Sequence, residues 1–401
     1  MTSAPNAVDT HNAVGAHDAP TNALVALVAE GQSIWLDFIS RDLVRGGQLR
    51  RLIEQDGLRG MTSNPSIFQK AIATGDAYDE QLAQLAAEGK NAGEIFEALS
   101  VQDVREACDL FRPLYDETSG LDGVVSIEVS PSLAYDAQGT LIEARRLWAS
   151  VDRPNVLIKV PGTDAGATAA EQLLTDGVNV NVTLLFSQGN HERVMRAYLT
   201  ALEARASRGL SIDRIASVAS FFVSRVDTLV DKLLGERIEA ARQAGDTARR
   251  RRLEELLGTV AIANAKLAYA RFRELFDGER FARLAARGAS VQRPLWASTS
   301  VKNPGYRDVV YVEELIGPDT VNTLPLGTIS AFQAHGVVAR SVDRGVDKAR
   351  ATISALEEEA GLDFAAVTQQ LEDEGVALFV HSYDELIAGV EKKRRKMRVT
   401  R

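Results

Sequence analysis

An α/β fold of the (β/α)8 barrel type is the architecture that this 401-residue sequence predicts. Three observations carry the expectation. Eight short runs rich in β-branched and aromatic residues recur along the chain. Amphipathic helical segments separate most of them, which is the alternation that builds a parallel sheet. The length suits one large barrel with insertions, or two ordinary domains. Strand count alone leaves a doubly wound open sheet as the alternative.

The candidate strands are Ile34–Phe38, Gly60–Asn64, Val124–Val129, Asn155–Val160, Val178–Leu184, Ile215–Phe222, Pro294–Ser300 and Thr320–Pro325. Helical patterns between them include Ala165–Leu174, Asn190–Arg208 and Arg307–Leu315. Two stretches exceed a minimal βα unit. Phe68–Gly120 holds candidate helices over Ala71–Glu88 and Ala92–Thr118, and Arg225–Arg287 holds a long charged helical region that includes Asp246–Glu255. Both read as helical insertions, around 68–120 and 225–287, in one barrel domain spanning 21–390. Residues 1–20, a mixture of Ala, Asn, Asp, His and Pro, read as a disordered tail without the basic start and apolar core of a signal peptide. The run Glu391-Lys392-Lys393-Arg394-Arg395-Lys396 is strongly basic and reads as a solvated helix end or C-terminal tail, over 391–401, rather than as a nucleic-acid site.

Composition excludes several classes. A net charge of -9 argues against nucleic acid as the main partner, while leaving room for a local basic pocket that takes a small phosphate. No apolar stretch is long enough to cross a membrane. The single cysteine, Cys108, rules out an intrachain disulfide, fits a reducing cytoplasmic setting and reads as a small buried helix residue. The histidines, His11, His17, His191, His335 and His381, are dispersed, and His191-Glu192 lacks the second histidine of a zinc pair. With no G-x-G-x-x-G and no P-loop sequence, neither cofactor nor metal is expected.

The most informative residue is Lys159, set in the apolar run Asn155-Val156-Leu157-Ile158-Lys159-Val160-Pro161. Burial disfavours an ammonium, and a desolvated lysine becomes an amine nucleophile suited to forming a Schiff base with a carbonyl substrate. Side chains alternate along a strand, and in a (β/α)8 barrel the C-terminal strand ends line the reaction site. Several strands carry polar groups at that end. These are Asp37, Thr62 and Asn64, Glu128, Lys159, Asn181 and Thr183, Ser220 with Arg225 beyond, and Ser298 and Ser300 with Lys302 beyond. Singly, each has a plain structural reading: Asp37 as a cap, Asn64 before Pro65 as turn chemistry, Glu128 as a buried ion-pair partner of Lys159, Arg225 and Lys302 as surface charges. Jointly, an amine, two carboxylates, amides, hydroxyls and two cations on one rim are unlike a barrel interior kept for stability, which is mostly Val, Ile and Leu.

Four segments, in this order, resemble the transaldolase family: Gly60-Met61-Thr62-Ser63-Asn64-Pro65-Ser66, Val125-Ser126-Ile127-Glu128-Val129, Leu157-Ile158-Lys159-Val160-Pro161 and Val180-Asn181-Val182-Thr183-Leu184-Leu185-Phe186-Ser187. The resemblance covers nearly the whole chain after the N-terminal segment, and the length and insertions are similar to the longer bacterial branch. It implies a metal-free, class I aldolase-like barrel in the non-oxidative pentose phosphate pathway. Such an enzyme moves a dihydroxyacetone unit from sedoheptulose 7-phosphate to glyceraldehyde 3-phosphate, giving erythrose 4-phosphate and fructose 6-phosphate. Carried over by motif, Lys159 resembles the Schiff-base lysine and Asp37 the acid/base at the scissile carbon. Glu128 and Thr183 resemble the pair that positions a catalytic water. Asn64, Asn181 and Ser220 resemble the groups holding the dihydroxyacetone hydroxyls, and Arg225, Ser300 and Lys302 the phosphate site. Lys302 departs from the arginine of shorter members, keeping the charge without the bidentate fork. Ser220-Phe221-Phe222 lacks the usual proline, and Phe222 stands where aldolase relatives that release free dihydroxyacetone carry a tyrosine. The partners implied are small-molecule sugar phosphates, and the chain is expected to be a monomer or homodimer. A free class I aldolase on fructose 6-phosphate or a related sugar phosphate is the alternative. An inactive binding barrel and a metal-dependent isomerase are the readings from other classes.

Overall fold

Parallel pairing runs through β1 (Gln32–Asp37), β2 (Gly60–Thr62), β3 (Val124–Glu128), β4 (Val156–Pro161), β5 (Val180–Leu185), β6 (Ser217–Phe222), β7 (Arg293–Ala297) and β8 (Thr320–Leu324), and β8 pairs back onto β1. The structure, a computed structural model, describes residues 22–399. Closure makes it a (β/α)8 barrel and excludes the open sheet. The tail expected over 1–20 lies outside the described residues.

The strands are buried on both faces, with helices covering the outside and side chains filling the inside, and are largely apolar apart from polar groups set toward the barrel interior. Every residue of β4, β5 and β6 is buried. The N-terminal end of the barrel is plugged by a buried polar cluster. Arg293 donates to Ser33 Oγ at 2.8 Å and to Asp122 Oδ1 at 3.1 Å, and Ser33 Oγ donates to the same carboxylate at 2.7 Å. Higher up, the Trp35 indole is fully buried opposite Gly60, its register partner. A Cβ on Gly60 would lie 2.7 Å from the indole, so the packing requires glycine there.

Local chemistry moves several boundaries. β2 stops at Thr62, short of the expected Asn64, because Asn64 caps the helix Pro65–Thr74 by accepting from Ile67 N at 3.1 Å. The single helix expected over Ala71–Glu88 is two, Pro65–Thr74 and Asp79–Ala87, broken where Gly75 is extended. The helix expected over Arg307–Leu315 contracts to Val310–Glu313, whose N-cap Val309 supplies no side-chain bond. Ala92–Glu117 opens on a capping box between Asn91 and Glu94, and Cys108 is buried within it.

After β8 come the helices Leu326–His335, Val346–Ala360 and Phe364–Val399. The basic segment from residue 391, expected as a helix end or a tail, is the end of the last of these. Arg394 and Arg395 pair with Glu391 one turn back, and Lys393 bonds Asp79 and the Gly75 carbonyl, each at 2.8 Å. Pairing within one helix face and anchoring to the first insertion keep these cations in the helix. No helix among the described residues is long and apolar enough to cross a membrane.

Candidate active site

Glu128, Lys159 and Asn181 are consecutive register partners across β3, β4 and β5, so their side chains share the barrel interior. Lys159 is 5 % exposed. Its Nζ lies 3.4 Å from Glu128 Oε2 and 3.3 Å from the Ser63 carbonyl oxygen. Burial pushes the Glu128 carboxyl up to about 7, against the opposing pull of Lys159, and Asp37 adds to the rise. Asp37, at the end of β1, accepts from Thr62 Oγ1 at 2.9 Å, and Thr62 meets the Thr323 hydroxyl at 2.9 Å. Burial holds the Asp37 carboxyl above the ordinary range, while Lys159, the Thr62 hydrogen bond and Lys302 draw it back.

One strand over, Asn181 donates to Ser126 Oγ at 3.0 Å and accepts from Ser220 Oγ at 2.7 Å. This chain crosses the interior from β6 to β3 and fixes the Asn181 amide orientation. Thr183 Oγ1 is buried with no hydrogen-bond partner among the described residues. β5 carries one extra residue between Val182 and Leu185 relative to β6, and Leu184 takes φ 61°. A bulge of this kind re-aims side chains beside a site, and a left-handed leucine is strained.

A cavity of about 550 Å³ opens above these strand ends. Asp37, Asn64, Lys159, Thr183, Ser220, Arg225, Ser300 and Lys302 all line it. Glu128 instead lines a smaller cavity of about 40 Å³ on its far side, together with Glu143 and Tyr383, and Asn64 borders both. Asn181 lies beneath the main cavity, bound to Ser126 and Ser220. The cationic corner has Lys302 Nζ donating to Ser300 Oγ at 2.7 Å and the Arg225 guanidinium 5.3 Å from the Phe222 ring centroid. Burial draws Arg225 below its ordinary value, though a guanidinium stays charged in proteins.

The family model for transaldolase/fructose-6-phosphate aldolase matches residues 34–390. The chain belongs to the transaldolase/fructose-6-phosphate aldolase family. It is similar to transaldolase 2 of Nostoc sp., with 46% identity over 373 residues covering 93% of this chain and 97% of the relative. It is also similar to the transaldolases of Thiobacillus denitrificans (48% over 361 residues, 90% and 97% covered) and Mycobacterium bovis (48% over 366 residues, 91% and 95% covered).

In this transaldolase-family barrel the arrangement has the parts of carbonyl chemistry. A buried amine adjoins a carboxyl that titrates near neutrality, a second carboxyl faces the same cavity, and cations sit at one side to receive an anionic end. Sequence reasoning missed the residues supplied by the helix Phe364–Val399. Leu378, Phe379 and Ser382 line the main cavity, and the Phe379 ring centroid is 5.5 Å from Lys159 Nζ. Their pattern in sequence is that of any amphipathic helix, so nothing in it separates a site residue from a core residue.

Proposed function

We infer that this enzyme transfers a dihydroxyacetone unit through a Schiff base on Lys159. It takes the unit from sedoheptulose 7-phosphate and gives it to glyceraldehyde 3-phosphate, forming erythrose 4-phosphate and fructose 6-phosphate. The observation that supports this most is the Lys159 amine, buried against Glu128 at the floor of a cavity with a cationic corner. A volume of about 550 Å³ accommodates a sugar phosphate. The neutral amine attacks the ketose C2 carbonyl, with Glu128 taking its proton. Loss of water from the carbinolamine gives the iminium, an electron sink that needs no metal. Asp37 removes the C4 hydroxyl proton as C3–C4 breaks, and the aldose phosphate leaves an enamine behind. The acceptor aldehyde is attacked by that enamine, Asp37 returns its proton, and hydrolysis releases the product. The unpartnered Thr183 hydroxyl and Glu128 hold the water that moves protons in imine formation and hydrolysis. Asn64, Asn181 and Ser220 hold the donor hydroxyls, and Arg225, Ser300 and Lys302 the phosphate. The enzyme acts in the cytoplasm as a monomer or homodimer.

Borohydride reduction in the presence of fructose 6-phosphate, followed by peptide mass mapping, tests the reading. A reduced adduct on Lys159 is expected, and trapping at another residue, or none in active enzyme, overturns it. Turnover of fructose 6-phosphate should require an acceptor aldehyde, which separates transfer from free aldolase cleavage.

Two further outcomes are expected. Arg225→Ala should raise KM for phosphorylated donors by about 10- to 100-fold through loss of a charged phosphate contact, with much less effect on kcat. Steady-state kinetics with phosphorylated and unphosphorylated ketoses checks this, since the latter should be little affected. Phe222→Tyr should raise release of free dihydroxyacetone from fructose 6-phosphate by about tenfold. Phe222 lines the cavity and has no proton to give. A cleavage assay with no rise would count against this role.

A further inference from the structure

The helix Phe364–Val399 is held down on both sides of Phe379. Four residues before it, Gly375 approaches β5 so closely that a Cβ there would lie 3.2 Å from the Leu184 side chain and 3.4 Å from that of Phe186. Four residues after it, Tyr383 meets the Phe96 ring edge-on at 5.9 Å between centroids. Lys393, near the helix end, is tied to Asp79 and Gly75. Between these anchors the Phe379 ring projects into the cavity, 9 % exposed, with its centroid 5.5 Å from Lys159 Nζ. Leu378 beside it is 53 % exposed at the cavity mouth. The ring therefore faces the reactive nitrogen within the same cavity, as an apolar neighbour beside its polar ones, Glu128 and the Ser63 carbonyl.

We propose that Phe379 determines the partition between transfer and hydrolysis, by roofing the Schiff-base nitrogen and keeping water from the enamine until an aldehyde arrives. The proposal rests on the Schiff-base reading of Lys159. The competing path starts when a water-derived proton adds to C3 of the enamine, restoring the iminium. Water then adds to C2, the C–N bond breaks, and dihydroxyacetone leaves as the amine of Lys159 is regenerated. Hydrolysis of the iminium also ends transfer, so the step that sets this path apart is the protonation at C3. An apolar cover slows proton delivery from water to C3 and leaves the aldehyde, which brings its own electrophilic carbon, as the faster partner. A ring face against the cationic iminium is also favourable in its own right.

The test is the ratio of two rates in the same enzyme: dihydroxyacetone release from fructose 6-phosphate alone, and transfer from fructose 6-phosphate to erythrose 4-phosphate. A ratio is insensitive to the fraction of folded protein, so a purely structural role would not move it. Phe379→Ala opens the roof. Phe379→Gln keeps a side chain of similar reach that favours helix but draws water, and it serves if the alanine variant fails to fold. In either folded variant the ratio should rise by at least about fivefold. An unchanged ratio with normal borohydride trapping on Lys159 overturns the role of Phe379 alone. Absence of trapping in the unmodified enzyme overturns the Schiff-base reading instead.

Discussion

Lys159→Met is expected to lower transfer by roughly 10⁶-fold, the scale of loss seen when a covalent nucleophile is removed. Methionine has nearly the same length and suits a site only 5 % exposed, so the change removes the amine with little loss of packing. Folding should survive. The substitution also removes one member of a buried ion pair, and the Glu128 left behind already titrates near 7. Without the Lys159 charge its pKa rises further, so at neutral pH it remains as the uncharged acid and the usual penalty for an orphaned charge is avoided. Thermal melting within a few degrees of the unmodified enzyme is the check on the fold. Lys159→Arg is the companion variant, keeping a cation near Glu128 without a usable nucleophile, and it should be equally inactive. Residual transfer above about a thousandth of normal in either variant would remove Lys159 from the covalent step.

Legibility in the sequence differed by the kind of physics involved. The strands were readable because a parallel strand covered on both faces is largely an apolar run: Val124–Glu128 falls within the expected span, and Val156–Pro161 is offset from its expected span by one residue. Lys159 was readable because a charge in such a run is costly, and Glu128 and Asn181 because two-residue periodicity puts them on its face. What periodicity does not carry is side-chain pairing. That Asn181 is bound between Ser126 and Ser220, or that Glu128 borders a separate small cavity, depends on register and interior curvature. The bulge in β5 was also hidden, since leucine gives no signal for φ 61° at Leu184.

The C-terminal helix is the largest gap. Its basic end read as a helix end or a tail because composition reports only charge, whereas the spacing of Glu391 to Arg394 and Arg395 was the helical signal that separates the two. Where the helix goes is a tertiary fact. The close approach at Gly375 and the contact of Phe379 with the Lys159 end group join residues roughly two hundred positions apart. Local sequence has no term for such a contact.

Glu128→Gln is expected to lower kcat/KM by roughly 10²–10⁴-fold and to change its pH dependence. In the unmodified enzyme the Glu128 carboxylate, 3.4 Å from Lys159 Nζ, accepts the proton released when the amine attacks. With the carboxyl titrating at about 7, the ionised fraction falls as pH drops, so kcat/KM should decline about tenfold per pH unit below that point. Glutamine cannot accept the proton and does not titrate, so this limb should vanish; a variant that keeps it would assign the limb to another group. Stability supplies a second, independent reading. Burial raises the folded-state pKa from 4.5 to about 7, so the folded protein favours the neutral acid. The contribution of Glu128 is therefore fully present below pH 4.5 and is lost as pH rises through about 7. The shift corresponds to on the order of 3 kcal/mol. Relative to the unmodified enzyme, Glu128→Gln should gain about that much in unfolding free energy between pH 4.5 and pH 8, measured by denaturant titration at both values. A difference that does not change with pH would mean that burial at this site does not hold the carboxyl near neutrality, and would make Glu128 a weaker base than the acid limb of kcat/KM requires.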